Sequence, residues 1–305
     1  MTSSLFKVVT PVTITDAMFV SSTIAETDYA AWSGATTYAS STYVISTATH
    51  RIYVSLQAGN LNRDPTNAAN SAWWSDTGPT NRWGILDDSV GTYSTATTSF
   101  TLVVKPGRID TLALLEVDAA TARIQMSTPE DGTFYDVTTT MTGADDLVMD
   151  WYDYFYSPIG VQATLIANGL PAISDASITI TLTRTGGTVS CGMLVVGLSS
   201  YLGQSQHGAK AGIVDYSRKE TDAFGRPMLV QRRFAKTMQV SMMLARARID
   251  ATARALAALR ATPALWIAHE KTLDVLVVYG FYKDFDVGIN YHDVAACNLT
   301  IEGIA

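Results

Sequence analysis

Short alternating apolar runs, separated by turn residues, recur every 8 to 15 residues from Ser99 to about Leu202. Successive side chains of a strand point to opposite faces, so each run predicts a strand with one buried face. About eight short strands without a convincing helix predict an antiparallel β-sandwich of jelly-roll type. The predicted strands begin at Phe100, Thr111, Ala122, Thr133, Trp151, Gln162, Ser177 and Gly192.

The run Trp151–Tyr156 is aromatic at every position except Asp153. As a strand, it would place Trp151 and Phe155 on one face and three tyrosines on the other. We expect this strand to face a neighbouring domain or subunit. A ladder of exposed tyrosines that binds a ligand is the alternative.

The final hundred residues change character. Two long strands are predicted around residues 210–222 and 228–244, with the turn at Ala223–Pro227. Asp250 is then expected to cap a helix over Ala251–Ala261, which Pro263 stops. Three further strands follow, so this part predicts a β-sheet with one helix packed across it.

These patterns predict a mainly β chain of 305 residues with three β-rich units. Residues 90–98 are poor in charge and rich in Ser and Thr, as expected of a connector between domains. The predicted segments are an N-terminal strand and linker (1–28), a small aromatic-rich module (29–98), the sandwich (99–204) and the C-terminal sheet with its helix (205–305).

Composition supports packed cores, because 47% of the residues are hydrophobic and 16% are charged. No apolar run reaches the roughly 18 residues of a membrane span. The first residues alternate like a strand and do not resemble a secretion signal. Cys191 and Cys297 are therefore expected to be reduced and buried, with no disulfide between them.

Charge is unevenly distributed along the chain. Residues 1–204 carry 8 basic and 18 acidic side chains, whereas residues 205–305 carry 13 basic and 10 acidic ones. A subunit polarised in this way can dock its basic end on an acidic neighbour. Nucleic acid is the disfavoured alternative partner, because the arginines are dispersed and are not interleaved with aromatic residues.

The sequence carries no strong signal for an enzyme, a metal ion or a cofactor. The histidines share no metal-ligand spacing, and the segment Gly197–Tyr201 lacks the second glycine of a nucleophile elbow. A glycosidase needs two carboxylates at a set separation. The acidic cluster could supply them, but a solvated acidic loop is the favoured interpretation: Asp145, Asp146, Asp150 and Asp153.

The stretch Tyr29–Asp88 contains four of the six tryptophans among Ser, Thr, Asn and Gly. Some of these rings must form the core of so small a module, while an exposed ring could stack on a sugar. Neighbours in an extended segment point to opposite faces, so one ring of the Trp73-Trp74 pair can serve the core and the other can face solvent. The candidate carbohydrate-binding residues are Trp32, Tyr53, Trp73 and Trp74.

The segment Gly78–Asp87 is predicted to be a structural clasp between this module and the sandwich. Pro79 fixes one backbone dihedral, Asn81 can bond its own backbone, and Trp83 can then fold inward over the turn. Arg82 completes the predicted clasp. A ligand-binding loop is the alternative.

Two resemblances to known families rest on these motifs. The order Ala31-Trp32, Tyr38, Val44, Tyr53, Pro65, Trp73 resembles the small chitin-binding type of carbohydrate-binding module. The segment GPTNRWGILD, from Gly78 to Asp87, is similar to a signature of tail proteins from long-tailed bacteriophages. Four C-terminal segments resemble the C-terminal half of phage tail and baseplate proteins: Asp215–Gly225, Leu259–Pro263, Tyr279–Phe285 and Ile301–Ile304.

The resemblance implies a structural component of a phage tail tip or baseplate, made in the host cytoplasm and then incorporated into the virion. Its expected partners are copies of itself, other tail proteins and, weakly, a bacterial surface glycan bound by the aromatic module. Residues 205–305 would be the assembly element. A stand-alone carbohydrate-binding protein is the first alternative, and a glycan depolymerase is the second.

Overall fold

The structure is a computed structural model that describes residues 5–142, 150–156, 162–206, 208–221, 224–268, 274–288 and 293–304. The predicted fold class is confirmed: the chain is mostly β, with antiparallel sheets and one helix in the C-terminal unit. The strands are β1 (Leu5–Pro11), β2 (Phe19–Ser22), β3 (Thr37–Tyr38), β4 (Tyr43–Ser46), β5 (Arg51–Ser55), β6 (Asn60–Leu61), β7 (Trp74–Pro79), β8 (Ser94–Val104), β9 (Thr111–Asp118), β10 (Thr121–Thr128), β11 (Gly132–Thr140), β12 (Leu165–Asn168), β13 (Ser177–Ser205), β14 (Lys210–Asp215), β15 (Arg218–Thr221), β16 (Pro227–Val230), β17 (Phe234–Ala245), β18 (Ala264–Ile267), β19 (Val277–Gly288) and β20 (Val294–Gly303). The helices are α1 (Trp151–Tyr156) and α2 (Ile249–Ala258).

Strand β13 runs through most of the structure. It is 29 residues long and pairs in antiparallel fashion with β10, β8, β9, β1 and β17 in turn. The sequence predicted two strands here, broken at Gly186-Gly187. Gly186 instead has φ +77° within a bulge, where the register with β8 shifts between Thr183 and Thr188. A glycine tolerates this conformation, so the strand bends and continues.

The sandwich has one core formed by two facing layers. Strands β8 and β10 flank the first part of β13, while β9 flanks its later part and carries β12 on its other edge. Alternate residues of each strand point between the layers, as the period-2 pattern predicts. The buried residues include Phe100, Leu102, Leu114, Ile124, Ile180 and Val196.

The C-terminal unit is a closed ring of six strands. The order runs β13, β1, β18, β19, β20 and β17, and the ring closes where Gln204 of β13 pairs with Met243 of β17. Side chains such as Phe6 and Val8 fill the interior together with Trp266, whose Nε1 donates to the carbonyl oxygen of Gly280 at 2.9 Å. Helix α2 adds Leu256 to the same core.

Strand β1 lies in the middle of this architecture, so it is buried on both faces. Phe6 and Val8 point into the ring, while Val9 contributes to a third core shared with β9, β13 and β18. Lys7, between Phe6 and Val8 in the sequence, places its ammonium group 4.8 Å from the ring centre of Tyr201. The sequence predicted a strand and linker at this position, but not that the strand would join the sandwich to the ring.

Three local predictions were wrong. Trp151–Tyr156 is helix α1, in which Trp151 and Phe155 stack at 6.3 Å because residues four apart meet on a helix. Asp250 does not cap α2; it lies in the first turn, where its carboxylate still favours the helix dipole. The predicted connector is shorter than expected, since Ser94 already pairs with Cys191 as the first residue of β8.

The two thiols agree with the sequence prediction, because Cys191 and Cys297 are free and buried. They belong to different cores, one in the sandwich and one in the ring. Burial raises the pKa of Cys191 to about 12, so its thiol stays protonated. No helix among the described residues is long and apolar enough to cross a membrane.

Substitution of Gly197 by alanine should test the role of β13. A Cβ at this position would lie 2.0 Å from the carbonyl oxygen of Thr10, so β1 and β13 would have to separate. We expect Gly197→Ala to lower the free energy of unfolding by about 3 kcal/mol, measured by chemical denaturation.

The matched control is Gly187→Ala in the same strand. A Cβ there would meet only the flexible side chain of Arg184, at 3.2 Å, so we expect little change in stability. Equal stability of the two variants would contradict the proposed close packing of β1 against β13.

Candidate functional site

The aromatic module is organised around four buried side chains: Tyr38, Val44, Tyr53 and Trp74. They lie on a three-stranded sheet of β4, β5 and β7 and on the small β3–β6 pair. Tyr38 meets Trp74 edge-on at 5.3 Å, and the indole Nε1 of Trp74 donates to the carbonyl oxygen of Arg63 at 2.8 Å. The largest rings therefore serve as the core of a module too small for an aliphatic one.

This packing removes two of the four candidate sugar-binding residues as stacking surfaces. Tyr53 is 7% exposed and Trp74 is 4% exposed. The hydroxyl of Tyr53 lies 3.3 Å from that of Thr49, within the module. Neither ring presents a free face to a sugar.

The other two candidates, Trp32 and Trp73, are partly buried against the same core. One face of Trp73 is covered by Arg63, whose guanidinium carbon lies 3.6 Å from the ring centre. The Nε1 atom of Trp32 is buried and has no hydrogen-bond partner among the described residues. A sugar that stacked on Trp73 would have to share the ring with Arg63 or displace it.

A well-exposed aromatic surface of the module is a pair that sequence reasoning did not select. Tyr29 and Tyr43 stack with their ring centres 5.0 Å apart, and each is more than 40% exposed. A signal for Tyr43 existed: it precedes the buried Val44 at the start of β4, so alternation turns it outward.

Asn81 joins the module to the sandwich. Its side-chain amide donates to the carbonyl oxygen of Thr95 at 2.9 Å, and its side-chain oxygen accepts from the Thr95 amide at 2.7 Å. Its own carbonyl oxygen accepts from the Ser94 hydroxyl at 2.6 Å. Asn81 was expected to bond its own backbone, but it bonds the first residues of β8 instead.

Arg82 and its neighbour Thr80 converge on Glu26, a carboxylate that sequence analysis did not single out. Glu26 Oε1 accepts from Thr80 Oγ1 at 3.0 Å and lies 2.9 Å from His50 Nδ1. Arg82 Nη1 lies 3.8 Å from the other carboxylate oxygen, and its Nε donates to the carbonyl of Ile24 at 2.8 Å. These contacts compensate the burial of the Glu26 charge.

Trp83 lies between the module and the N-terminal segment. Its ring stacks on His50 at 4.1 Å and on Phe19 of β2 at 5.2 Å, measured between ring centres. Pro79 ends β7 opposite Arg51 of β5. Asn81 and Trp83 thus contact strands outside the β4–β5–β7 sheet, whereas Pro79 lies within it. The role of this segment as a clasp stays a prediction.

Catalytic and metal-binding arrangements can be assessed only where side chains are described. No three His, Cys, Asp or Glu residues are grouped suitably for a metal ion within the described ranges. Ser199 lies in β13 and donates to Asp110 at 3.0 Å, so Gly197–Tyr201 is strand and not a nucleophile elbow. Asp145, Asp146, His207, His269 and His292 lie outside the described residues, as does the side chain of Asp153.

Comparison with known proteins gives little guidance. No protein-family model matches the chain. No curated protein matches it either. One similar solved structure is the F5/8 type C domain of a Bacteroides fragilis protein, with 10% sequence identity and a TM-score of 0.24 over 40% of this chain and 80% of that one. A similarity this low supports no conclusion about fold or ligand.

Replacing Trp83 by alanine should loosen the clasp. The change removes a ring that stacks on both Phe19 and His50, so we expect Trp83→Ala to lower the free energy of unfolding by about 3 kcal/mol. Trp151→Ala makes the same chemical change at a ring that is 78% exposed and should cost much less. Chemical denaturation measures both free energies of unfolding. An equally small decrease in both variants would argue for the ligand-loop alternative.

Proposed function

We propose that this chain is a structural protein of a bacteriophage tail tip or baseplate, and that it assembles with copies of itself. The observation that carries the proposal is an arm, defined as residues 210–234, whose described residues (210–221 and 224–234) are largely exposed. The arm consists of β14, the β15–β16 hairpin and the first residue of β17.

The arm exposes large apolar side chains that a protein in water usually covers. Phe224 is 88% exposed and Leu229 is 80% exposed. Several large apolar side chains exposed along one short segment favour an interface with another protein. Other exposed apolar residues of the arm are Ile213, Val214, Tyr216, Met228 and Phe234.

The arm also offers a free strand edge. Within the described residues, β14 lies at one end of the large sheet and pairs with β17 alone. All six of its residues are exposed. An open edge of this kind can accept a strand from another chain, because its unpaired backbone groups gain hydrogen bonds.

Charge favours a second copy as the partner. The arm carries six basic and three acidic residues, whereas residues 1–204 carry 18 acidic residues against 8 basic ones. A basic arm on one copy is therefore complementary to the acidic part of another. Such complementarity mainly speeds association and selects the partner, while the apolar contacts supply affinity.

The resemblance to tail proteins supports the same location. The segment Asp215–Gly225, which resembles a part of phage tail and baseplate proteins, lies within the arm. The segment Gly78–Asp87, which is similar to a signature of phage tail proteins, contains the predicted clasp. The proposal therefore assigns rigidity to the Gly78–Asp87 segment and assembly to the Asp215–Gly225 segment.

A deletion of the whole C-terminal unit would not test this proposal. The ring needs β1 and β13 from the N-terminal part, and the interior residues Phe6, Val8 and Leu202 would lose their core partners. The test must leave the ring intact. The register allows this, because Asp215 pairs with Phe234 and Tyr216 N donates to the carbonyl oxygen of Arg233 at 3.3 Å.

Replacement of Ser217–Arg232 by Asn-Gly should abolish assembly. The two-residue turn would connect Tyr216 to Arg233 directly, as a hairpin turn does, and would remove the β15–β16 hairpin alone. We expect the full chain to form oligomers and to enter tail particles, and the shortened chain to stay folded and monomeric. Light scattering and particle mass spectrometry provide the measurements.

The double variant Phe224→Ser/Leu229→Ser should also lose the oligomer. The control is Val137→Ser, at an exposed apolar residue of β11, which should keep it. Retention of the oligomer and of particle incorporation by the shortened chain would refute the arm as the assembly element. A full chain that is monomeric and binds glycan would favour a stand-alone carbohydrate-binding protein. Release of reducing ends from host polysaccharide would favour a depolymerase.

A second candidate function is weak binding of a host-surface glycan by the aromatic module. The observation that favours it is the exposed Tyr29–Tyr43 stack, next to a module whose remaining rings form the core. Exposed aromatic rings can lie against the C–H face of a sugar. Several copies in one particle could raise the avidity by roughly 10² to 10⁴ over a single site.

The variant Tyr43→Ala should remove this binding without unfolding the module. We expect the full chain to bind chitin-type oligosaccharides at about millimolar affinity, near −4 kcal/mol, and the variant to bind at least about tenfold more weakly. Ligand-observed NMR measures both, with Tyr152→Ala as the control at an exposed tyrosine of α1. Equal binding by both variants would exclude the Tyr29–Tyr43 pair.

A further inference from the structure

A cavity of about 380 Å³ lies where the sandwich meets the ring. Strands β9 and β13 form its sandwich side, and β17, β19 and the end of β20 form its ring side. The segment Val90–Tyr93, which follows the clasp, borders it as well. Its size falls in the lower part of the range of small-molecule sites, about 300 to 1,000 Å³.

The cavity combines apolar and polar walls. Leu115, Met193 and Val277 provide apolar surface and also belong to or pack on the core shared by the two units. Three aromatic residues, Tyr93, Phe234 and Tyr279, line it too. A pocket of mostly apolar lining with a few converging polar groups is the usual form of a ligand site.

Glu116 enters the cavity from an unusual backbone conformation. Its φ is +54°, in the left-handed region that side-chain-bearing residues rarely adopt. The register of β9 with β13 passes from Val117–Cys191 to Leu115–Met193, so Glu116 and Gly192 form an irregularity between two paired positions. A Cβ on Gly192 would lie 2.9 Å from both the Cβ and Oε2 of Glu116. The glycine thus leaves room for the carboxylate over β13.

Polar groups of both hydrogen-bonding types surround this carboxylate. The Tyr93 hydroxyl donates to Glu116, and this interaction raises the pKa of Tyr93 to about 12. Arg233 Nη1 donates to the carbonyl oxygen of Val90 at 2.5 Å. Lys236 is a further donor in the lining. A ligand would therefore meet an acceptor and several donors in a small space.

The charges in and near the cavity are mixed. Arg233 and Lys236 are basic, whereas Glu116 is acidic, and the carboxylates of Asp87 and Asp88 contribute to the raised pKa of Tyr279. A phosphate or a simple carboxylate would be repelled by these acidic groups, and a cation by the basic ones. A hydrocarbon chain would cover the Glu116 carboxylate, which already accepts from the Tyr93 hydroxyl, without offering it a further hydrogen bond. A neutral molecule with many hydroxyls and an apolar face suits all these groups.

We propose that this cavity binds a neutral sugar, with ring hydroxyls bonded to Glu116 and Arg233 and the C–H surface on the apolar and aromatic walls. Hydroxyls both donate and accept, which matches a carboxylate beside a guanidinium. The strained backbone at Glu116 is consistent with such a role, because strain persists at functional sites that the surrounding structure holds in place. The site does not include the Tyr29–Tyr43 pair, and it shares Arg233 and Phe234 with the end of the arm.

The test is saturation-transfer NMR on the full chain with glucose, galactose and N-acetylglucosamine, and with glucose 6-phosphate and octanoate as comparators. At least one neutral sugar should bind, and Glu116→Gln should weaken it at least about tenfold because the charged acceptor is lost. Glu130→Gln, at an exposed acidic residue of the β10–β11 turn, is the matched control and should bind as the unaltered chain does. Tyr43→Ala should also leave this binding unchanged.

Three results would overturn the proposal. The first is absence of transfer to every neutral sugar at tens of millimolar, and the second is a preference for glucose 6-phosphate or octanoate. The third is sugar binding that survives Glu116→Gln but disappears in Tyr43→Ala, which would place the sugar at the aromatic module. Circular dichroism of Glu116→Gln establishes that the variant is folded.

Discussion

The backbone hydrogen bonds of β13 are the interaction on which the remaining structure depends. This strand pairs with five others, three in the sandwich and two in the ring, so neither unit is complete without it. Such continuity needs close approach of neighbouring strands. Gly197 permits it against β1, and Gly186 lets β13 bend before it leaves the first layer. The sandwich and the ring consequently share strand β13 and a third core, and they form one structural unit.

The aromatic module is attached to this unit by polar contacts and by stacked rings. Asn81 reaches β8, Arg82 and His50 hold Glu26, and Trp83 lies between His50 and Phe19. A buried carboxylate held by several partners is costly to break, since loss of one partner leaves a charge without compensation. We therefore expect these contacts to hold the module in one orientation, and with it the outward face that carries Tyr29 and Tyr43.

The two surfaces proposed to act on other molecules differ in physical character. The arm is apolar, basic and open along one strand edge, which suits another protein chain. The cavity is partly open to solvent, mixed in charge and rich in hydrogen-bonding groups, which suits a small hydroxylated ligand. They adjoin on β17, because Phe234, the last residue of the arm, and Lys236 both line the cavity.

The sequence by itself determined the β class, most strand positions and the buried free thiols, because period-2 alternation and turn residues are local signals. It wrongly assigned Trp151–Tyr156 to a strand, since a run in which only Asp153 is not aromatic has no clear apolar–polar period. It also could not tell which rings of the module are buried: Trp74 and Trp73 differ only in the face that the sheet turns inward. The ring closure, the shared core and the cavity beside Glu116 were decided by tertiary structure alone, because they depend on strands far apart in the chain that pair at specific registers.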